Sequence, residues 1–277
     1  MKTSKVLIDA LEYIRKFRGC LFVIKLGGEI ILDERMLDAV AQDVILLNCV
    51  NIKPVIVHGG GPDISTAMKK FGKEPTFVNG LRVTDKETMD IVTMVLIGKI
   101  NTAIVARINK FGGNAVGISG KSGRLFSAKK HKGKVDLGFV GDVSDVNSDL
   151  ISVLLEKNYI PVISPIGFDS EGNSLNINAD TAAAKLAASL KADKMIFLTV
   201  TGGVFDKKGK LIPKLTIKEA KDLIKKGVAT GGMIPKLEAC MEAVKSGVVG
   251  AHIIGAKEHS IVEEVFTSSG IGTMVTK

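Results

Sequence analysis

KPVIVHGGGPDIS, residues 53–65, runs from apolar residues straight into three consecutive glycines. Residues 55–57 read as a short buried strand, and Pro62 fits the first turn of a following helix. Backbone this bare, between a strand end and a helix start, suits a close approach to a ligand. The loop matches neither GxxxxGK[ST] nor GxGxxG. It looks like a phosphate loop that lacks its lysine.

The same pattern recurs outward. LFVIKL, 21–26, ends in Gly27 and Gly28, and a helix-like stretch follows at 34–50. Strand patterns at 115–118, 160–163, 195–199 and 252–254 alternate with helical ones at 148–157 and 182–190. TDKE (84–87), TIKE (216–219) and SIVE (260–263) have the capping-box form that opens a helix. The first should open about six turns, to near Lys110. Residues 121–147 alternate and are rich in glycine, as β-hairpins are. Strands alternating with helices predict an α/β fold, a three-layer α-β-α sandwich with a mainly parallel central sheet. Residues 5–18 put Leu7, Ala10, Leu11, Ile14 and Phe17 on one helical face, which must cover its own core or another subunit. Helix 181–190 is the expected link between two lobes.

Bulk composition narrows the function classes. The 277 residues suffice for one large domain or two modest ones. No apolar stretch approaches the roughly 20 residues of a membrane span. Charges interrupt the N-terminus throughout, so no signal core is expected and the cytoplasm is the default. Cys20, Cys49 and Cys240 are widely spaced without a CxxC, which argues against disulfides and zinc. The net charge of +9 comes from scattered lysines. The one dense run, 129–134, reads as a solvated turn. A basic surface then suits anionic small substrates better than nucleic acid.

Four motifs carry the chemistry: KLGG (25–28), HGGG (58–61), NINAD (176–180) and GGMIPK (231–236). Glycine turns before helices offer backbone N–H groups to anions. Lys25 and Lys236 lie beside such turns, and lysine suits phosphate oxygens. Asp180 can organise the lysines or a metal, or simply begin its helix. The set fits phosphoryl transfer, which is mainly positioning and charge neutralisation. His58 reads as a packing residue of the glycine loop, His252 as a core histidine, and His131 and His259 as exposed. An acceptor carboxylate is already ionised at neutral pH and needs no general base. A carboxylate kinase therefore fits better than an alcohol kinase.

In this order the motifs resemble the amino acid kinase family. The resemblance runs from about residue 7 to 275 and includes VIKLGG (23–28), VIVHGGGPDIS (55–65), FVNGLRVTD (77–85), NINADTAAAKLA (176–187) and TGGMIPK (230–236). It is closest to the branch that phosphorylates N-acetyl-L-glutamate for arginine biosynthesis. It implies the amino acid kinase fold, ATP with Mg2+, and Lys25 and Lys236 stabilising the phosphoryl group in flight, with Asp180 holding both. It further implies that Gly60, Gly61, Arg82 and Asn176 bind the acetylated amino acid, Arg82 on its α-carboxylate. Gly27, Gly28, Val200, Gly203 and Thr230 would border the nucleotide. Val200 is a departure, because the family usually carries aspartate there.

The two ends resemble those of arginine-inhibited, hexameric members. That likeness implies an arginine site at Lys194, Glu264 and Gly270. The implied division is an N-terminal helix (1–20) for oligomerisation and arginine, a lobe at 21–190 for acetylglutamate and dimerisation, and a lobe at 191–277 for ATP and arginine. Three rival readings stand beside this one. They are a kinase of an acetylated or carrier-linked aminoadipate in lysine biosynthesis, a non-catalytic sensor, and a weak nucleic-acid binder. One methylene is weakly discriminated by a pocket.

Overall fold

The computed structural model describes residues 3–268 and 270–277, without the side chains of Thr3, Ser4 and Leu7, so the place of Leu7 in the N-terminal stripe lies outside the described residues. The strands are β1 (Leu21–Leu26), β2 (Lys53–His58), β3 (Phe77–Val78), β4 (Leu81–Arg82), β5 (Ala115–Ser119), β6 (Phe126–Lys130), β7 (Val140–Val146), β8 (Ile160–Ser164), β9 (Ile166–Phe168), β10 (Ser174–Ile177), β11 (Lys194–Thr199), β12 (Lys214–Thr216), β13 (Gly250–Gly255) and β14 (Thr273–Thr276). The α-helices are α1 (Thr3–Phe17), α2 (Gly28–Leu32), α3 (Glu34–Cys49), α4 (Gly61–Lys70), α5 (Lys86–Thr93), α6 (Thr102–Lys110), α7 (Asp149–Glu156), α8 (Ala179–Ser189), α9 (Ile217–Lys225), α10 (Met233–Lys245) and α11 (Ser260–Phe266).

Eight strands form the central sheet in the order β12-β14-β13-β11-β1-β2-β8-β5. Its pairs are parallel except β13 with β14. β1 sits between β2 and β11, so the chain leaves it in both directions across the sheet. Ligands of such sheets bind beyond the carboxyl ends of the strands at that point. Both faces are covered, which explains the uninterrupted apolar runs. Val23, Val55, Val57 and Phe197 pack with the alanines of α8 and with α10. Phe22, Ile24, Leu26 and Ile56 pack with α3 and the long helical stretch from Lys86. Lys25 alternates onto the α8 face, and His58 onto the opposite one.

The residues at 121–147 do more than form hairpins. β6, β7, β9 and β10 close a small barrel. Two expected capping boxes do not form. Asp85, not Thr84, caps α5, accepting from the Thr88 N–H. α11 begins after His259, whose φ of 58° is left-handed, and Ser260 lies inside the helix. The Thr216 box forms as expected. Lys86–Lys110 is one 25-residue helical stretch, and by length and composition it alone among the described residues could cross a membrane. The stretch ends at Lys110, as the sequence predicts; its apolar character is hidden in the sequence because scattered charges break the run. Its buried Val92, Leu96, Ile100, Ile104 and Ile108 pack into the core. In α1, Ala10, Ile14 and Phe17 pack on their own subunit, while Val6, Ile8 and Leu11 stay exposed.

Candidate active site

Lys25, next to last in β1, points to the first turn of α8. Asn178 caps that helix, accepting from the N–H groups of Asp180 and Thr181. The cap fixes Asp180 between two lysines: Lys25 Nζ lies 2.7 Å from Oδ1 and Lys236 Nζ 3.3 Å from Oδ2. Burial alone would raise the Asp180 pKa, but the charges of Lys25 and Lys236 outweigh it and hold the carboxyl below its usual range. Two cations share one anion, so the cluster keeps one positive charge for a ligand.

A cavity of about 210 Å³ opens beside Lys25 and Asp180. Gly28, Gly59, Gly60 and Gly61 line it, together with Arg82 and Asn176. Among the described residues, the N–H groups of Gly28, Gly60 and Gly61 have no acceptor within the protein. A Cβ on Gly28 would come within 2.8 Å of Pro62, so the two glycine turns touch backbone to backbone. A Cβ on Gly60 would strike Leu96 and Ile100, whereas one on Gly61 meets nothing within 4 Å. Gly60 is thus bare for packing, and Gly61 is bare toward open space.

Arg82 is buried, only 6% exposed. Its guanidinium donates to the Gly61 carbonyl and to Ser65 Oγ, each at 2.9 Å, and lies 4.6 Å from the centre of the Phe77 ring. No carboxylate pairs with it among the described residues. A buried, always-charged group without an anion is costly, and a carboxylate ligand would complete it. Asn176 donates to Thr84 Oγ1 at 3.2 Å, and Thr84 Oγ1 donates to the Arg82 carbonyl at 2.7 Å. The GLRVT and NINAD motifs are therefore one wall.

A second cavity of about 410 Å³ is lined by Val200, Gly203, Phe205, Thr230 and Lys236. Asp180 bridges the two cavities, because Lys25 faces the first and Lys236 the second. Gly203 has φ of +135°, and a Cβ there would meet Leu211 and Thr273. Of the expected nucleotide residues, Val200, Gly203 and Thr230 line this second cavity. Gly28 lines the first, and Gly27 caps α2.

Lys194, Glu264 and Gly270 gather away from these cavities, against α1. Lys194 Nζ stands 5.0 Å from the centre of the Phe17 ring. Glu264 is buried rather than solvated. Its Oε1 is 2.6 Å from His252 Nδ1, and its Oε2 accepts from the Ile271 N–H at 2.9 Å. Burial favours the neutral acid, yet the His252 contact holds Glu264 below its ordinary pKa. His252 is the satisfied core histidine expected. The sequence reading missed Ser65 and Phe77 around Arg82, since nothing local marks them. Asn178 was legible as a capping residue before an alanine-rich helix.

The sequence profile of the amino acid kinase family matches residues 21–255. The acetylglutamate kinase of Methanococcus aeolicus is 52% identical, over 99% of this chain and 98% of its own. That of Methanothermobacter thermautotrophicus is 48% identical over 100% of both. Among solved structures, the N-acetylglutamate synthase of Neisseria gonorrhoeae, complexed with coenzyme A and N-acetyl-glutamate, superposes with a TM-score of 0.91 at 25% identity. All of this chain is matched, and it spans 64% of the synthase chain. The profile match and the full-length likeness, together with the lysine–aspartate–lysine cluster at the sheet's switch point, lead to one conclusion: the chain belongs to the amino acid kinase family.

Proposed function

We propose that the chain transfers the terminal phosphoryl group of ATP to the γ-carboxylate of N-acetyl-L-glutamate, giving N-acetylglutamyl 5-phosphate for arginine biosynthesis. The observation that carries this is the buried Arg82 without an anion, facing a cavity walled by unpaired N–H groups and edged by Lys25 and Asp180. Arg82 holds the substrate's α-carboxylate, and Asn176 holds the acetylated amine. That leaves the γ-carboxylate near Gly28, Gly60 and Gly61. A γ-carboxylate oxygen attacks phosphorus as the bond to the ADP oxygen breaks. The unpaired N–H groups, Lys25 and Lys236 stabilise the charge that spreads over the transferring group. Asp180 keeps both lysines in place and takes no proton.

The nucleotide fits the second cavity, with Gly203 and Thr230 at its border and Lys236 toward its phosphates. Mg2+ would arrive on the phosphate oxygens and neutralise them, since both Asp180 oxygens already face lysines. Lobes at 21–190 and 191–277 would then carry the amino acid and the nucleotide. Arginine is the proposed inhibitor at Lys194, Glu264 and Gly270. Each Glu264 oxygen accepts one hydrogen bond and keeps a lone pair for a guanidinium. Exposed Val6, Ile8 and Leu11 support pairing of α1 between dimers, making a hexamer.

One assay tests the core of this reading. The protein is incubated with Mg-ATP and hydroxylamine, with N-acetylglutamate or N-acetylaminoadipate, with and without arginine. Hydroxamate should form with N-acetylglutamate and fall when arginine is added. No hydroxamate from either substrate refutes the kinase, and a preference for N-acetylaminoadipate shifts it to the rival substrate. Indifference to arginine removes the regulation alone.

A further inference from the structure

We infer that His58 is a positioning residue that aims the Gly60 N–H at the transferring phosphoryl group, an inference that rests on the phosphoryl-transfer reading above. His58 ends β2 and is fully buried. Its Nδ1 lies 3.0 Å from the Gly59 carbonyl oxygen, and its Nε2 lies 3.2 Å from Asn101 Nδ2. A carbonyl only accepts, so Nδ1 must carry the proton. Burial holds the imidazole neutral, with its pKa lowered to about 4, so Nε2 is bare and accepts.

The other side of the ring agrees. Asn101 Nδ2 also lies 2.9 Å from the Val162 carbonyl oxygen. That contact requires a donor, which fixes the amide with its NH2 toward Nε2. Ser164 Oγ stands 3.0 Å from Nε2, but its one proton goes to the Leu96 carbonyl at 3.3 Å, so the assignment on this side rests on Asn101. The tautomer is thereby set from both ends, by the Gly59 carbonyl and by Asn101.

The consequence follows from peptide planarity. In a trans peptide the carbonyl of one residue and the N–H of the next point opposite ways. Pinning the Gly59 carbonyl to His58 therefore turns the Gly60 N–H away from the ring. That N–H has no acceptor among the described residues, and Gly60 lines the cavity. A glycine loop without this anchor is free to flip the peptide and present a carbonyl, which would repel phosphate. His58 touches neither substrate nor phosphate in this scheme and acts through the Gly59–Gly60 peptide.

The test uses the full chain and two readouts. Nitrogen-15 NMR of histidine-labelled protein reads the tautomer directly, and His58 should be neutral and protonated at Nδ1. In the hydroxamate assay, His58→Leu should lower kcat about 100-fold, on the scale of losing one preorganised donor. KM for N-acetylglutamate should stay within about threefold, because Arg82 still binds it. His58→Asn, whose Nδ2 replaces Nδ1–H, should recover kcat to within about fivefold of the parent. An Nε2–H tautomer overturns the inference. So does a His58→Leu variant with full kcat, or equal loss in the Leu and Asn variants. If a variant fails to fold, the tautomer decides alone. If the parent protein makes no acyl phosphate, the function fails, while the NMR result still reports the His58 anchor.

Discussion

At the scale of single residues, adjacent glycines have different reasons to be glycine. Gly60 faces Leu96 and Ile100 so closely that a Cβ has no room. Gly61 begins α4 with open space around its missing Cβ. Gly60→Ala should therefore lower stability by about 1–3 kcal/mol through overpacking. Gly61→Ala should fold normally and lose most of its turnover, because the new methyl group crowds the approach to the N–H groups. Thermal midpoints and kcat measured on both variants separate the two cases, and a fully active Gly61→Ala refutes the second. Val200, 60% exposed at the second cavity, offers no acceptor to a ribose or base. Val200→Asp should lower KM for ATP about tenfold, equivalent to about 1.4 kcal/mol. An unchanged KM would show that position 200 does not contact the nucleotide.

At the scale of elements, the locally specified features were legible and the ones made across space were not. The strand runs, the glycine turns and the Thr216 box each depend on neighbours in sequence, and they form as read. α11 is different. Its first N–H groups are satisfied by Asp43 of α3, which accepts from Ile261 at 3.1 Å and meets His259 Nδ1 at 2.7 Å. A cap supplied from 218 residues away leaves no local signature, so the SIVE pattern misled. Asp43→Ala should cost about 2 kcal/mol, from a lost cap and a buried N–H left unpaired. Hydrogen exchange at Ile261 and Val262 should quicken more than elsewhere. Unchanged exchange there would rule the cap out.

The long helical stretch shows the same limit. Its buried residues from Val92 to Ile108 recur every four positions, and an α-helix drifts about 40° per such step. The segment Met94–Asn101 is π-helical, with wider turns that take up this drift. Leu96 and Ile100 thereby stay against Gly60, and Asn101 reaches His58. The candidate site was legible where motifs abut it: Lys25, Asp180, Arg82, Asn176 and Lys236. The Asn101–His58 link was not, because it depends on how a helix packs on β2.

At the scale of the whole molecule, buried ionisable groups set how stability responds to acid. His58 has a folded pKa of about 4 against 6.5 when exposed, so the unfolded chain binds more protons between those values. Stability is full above about pH 6.5 and falls as the pH drops toward 4, by about 3 kcal/mol from this group. His252 is also lowered, mainly by burial, and acts in the same direction. Asp180 and Glu264, both held below their usual range, lose their contribution only at lower pH, as they protonate. Asp43 opposes them. Burial raises its pKa, so its contribution is largest in acid and declines as pH rises above 3.8. The histidines open the descent in acid because they titrate first. Urea unfolding at pH 7.5, 6, 5 and 4.5 should show stability falling steadily from about pH 6.5. In His58→Asn the fall should be shallower by more than half of the His58 share. An unaltered slope in that variant would mean that the ring is protonated or solvated in the folded protein, and the neutral anchor at Gly59 would fall with it.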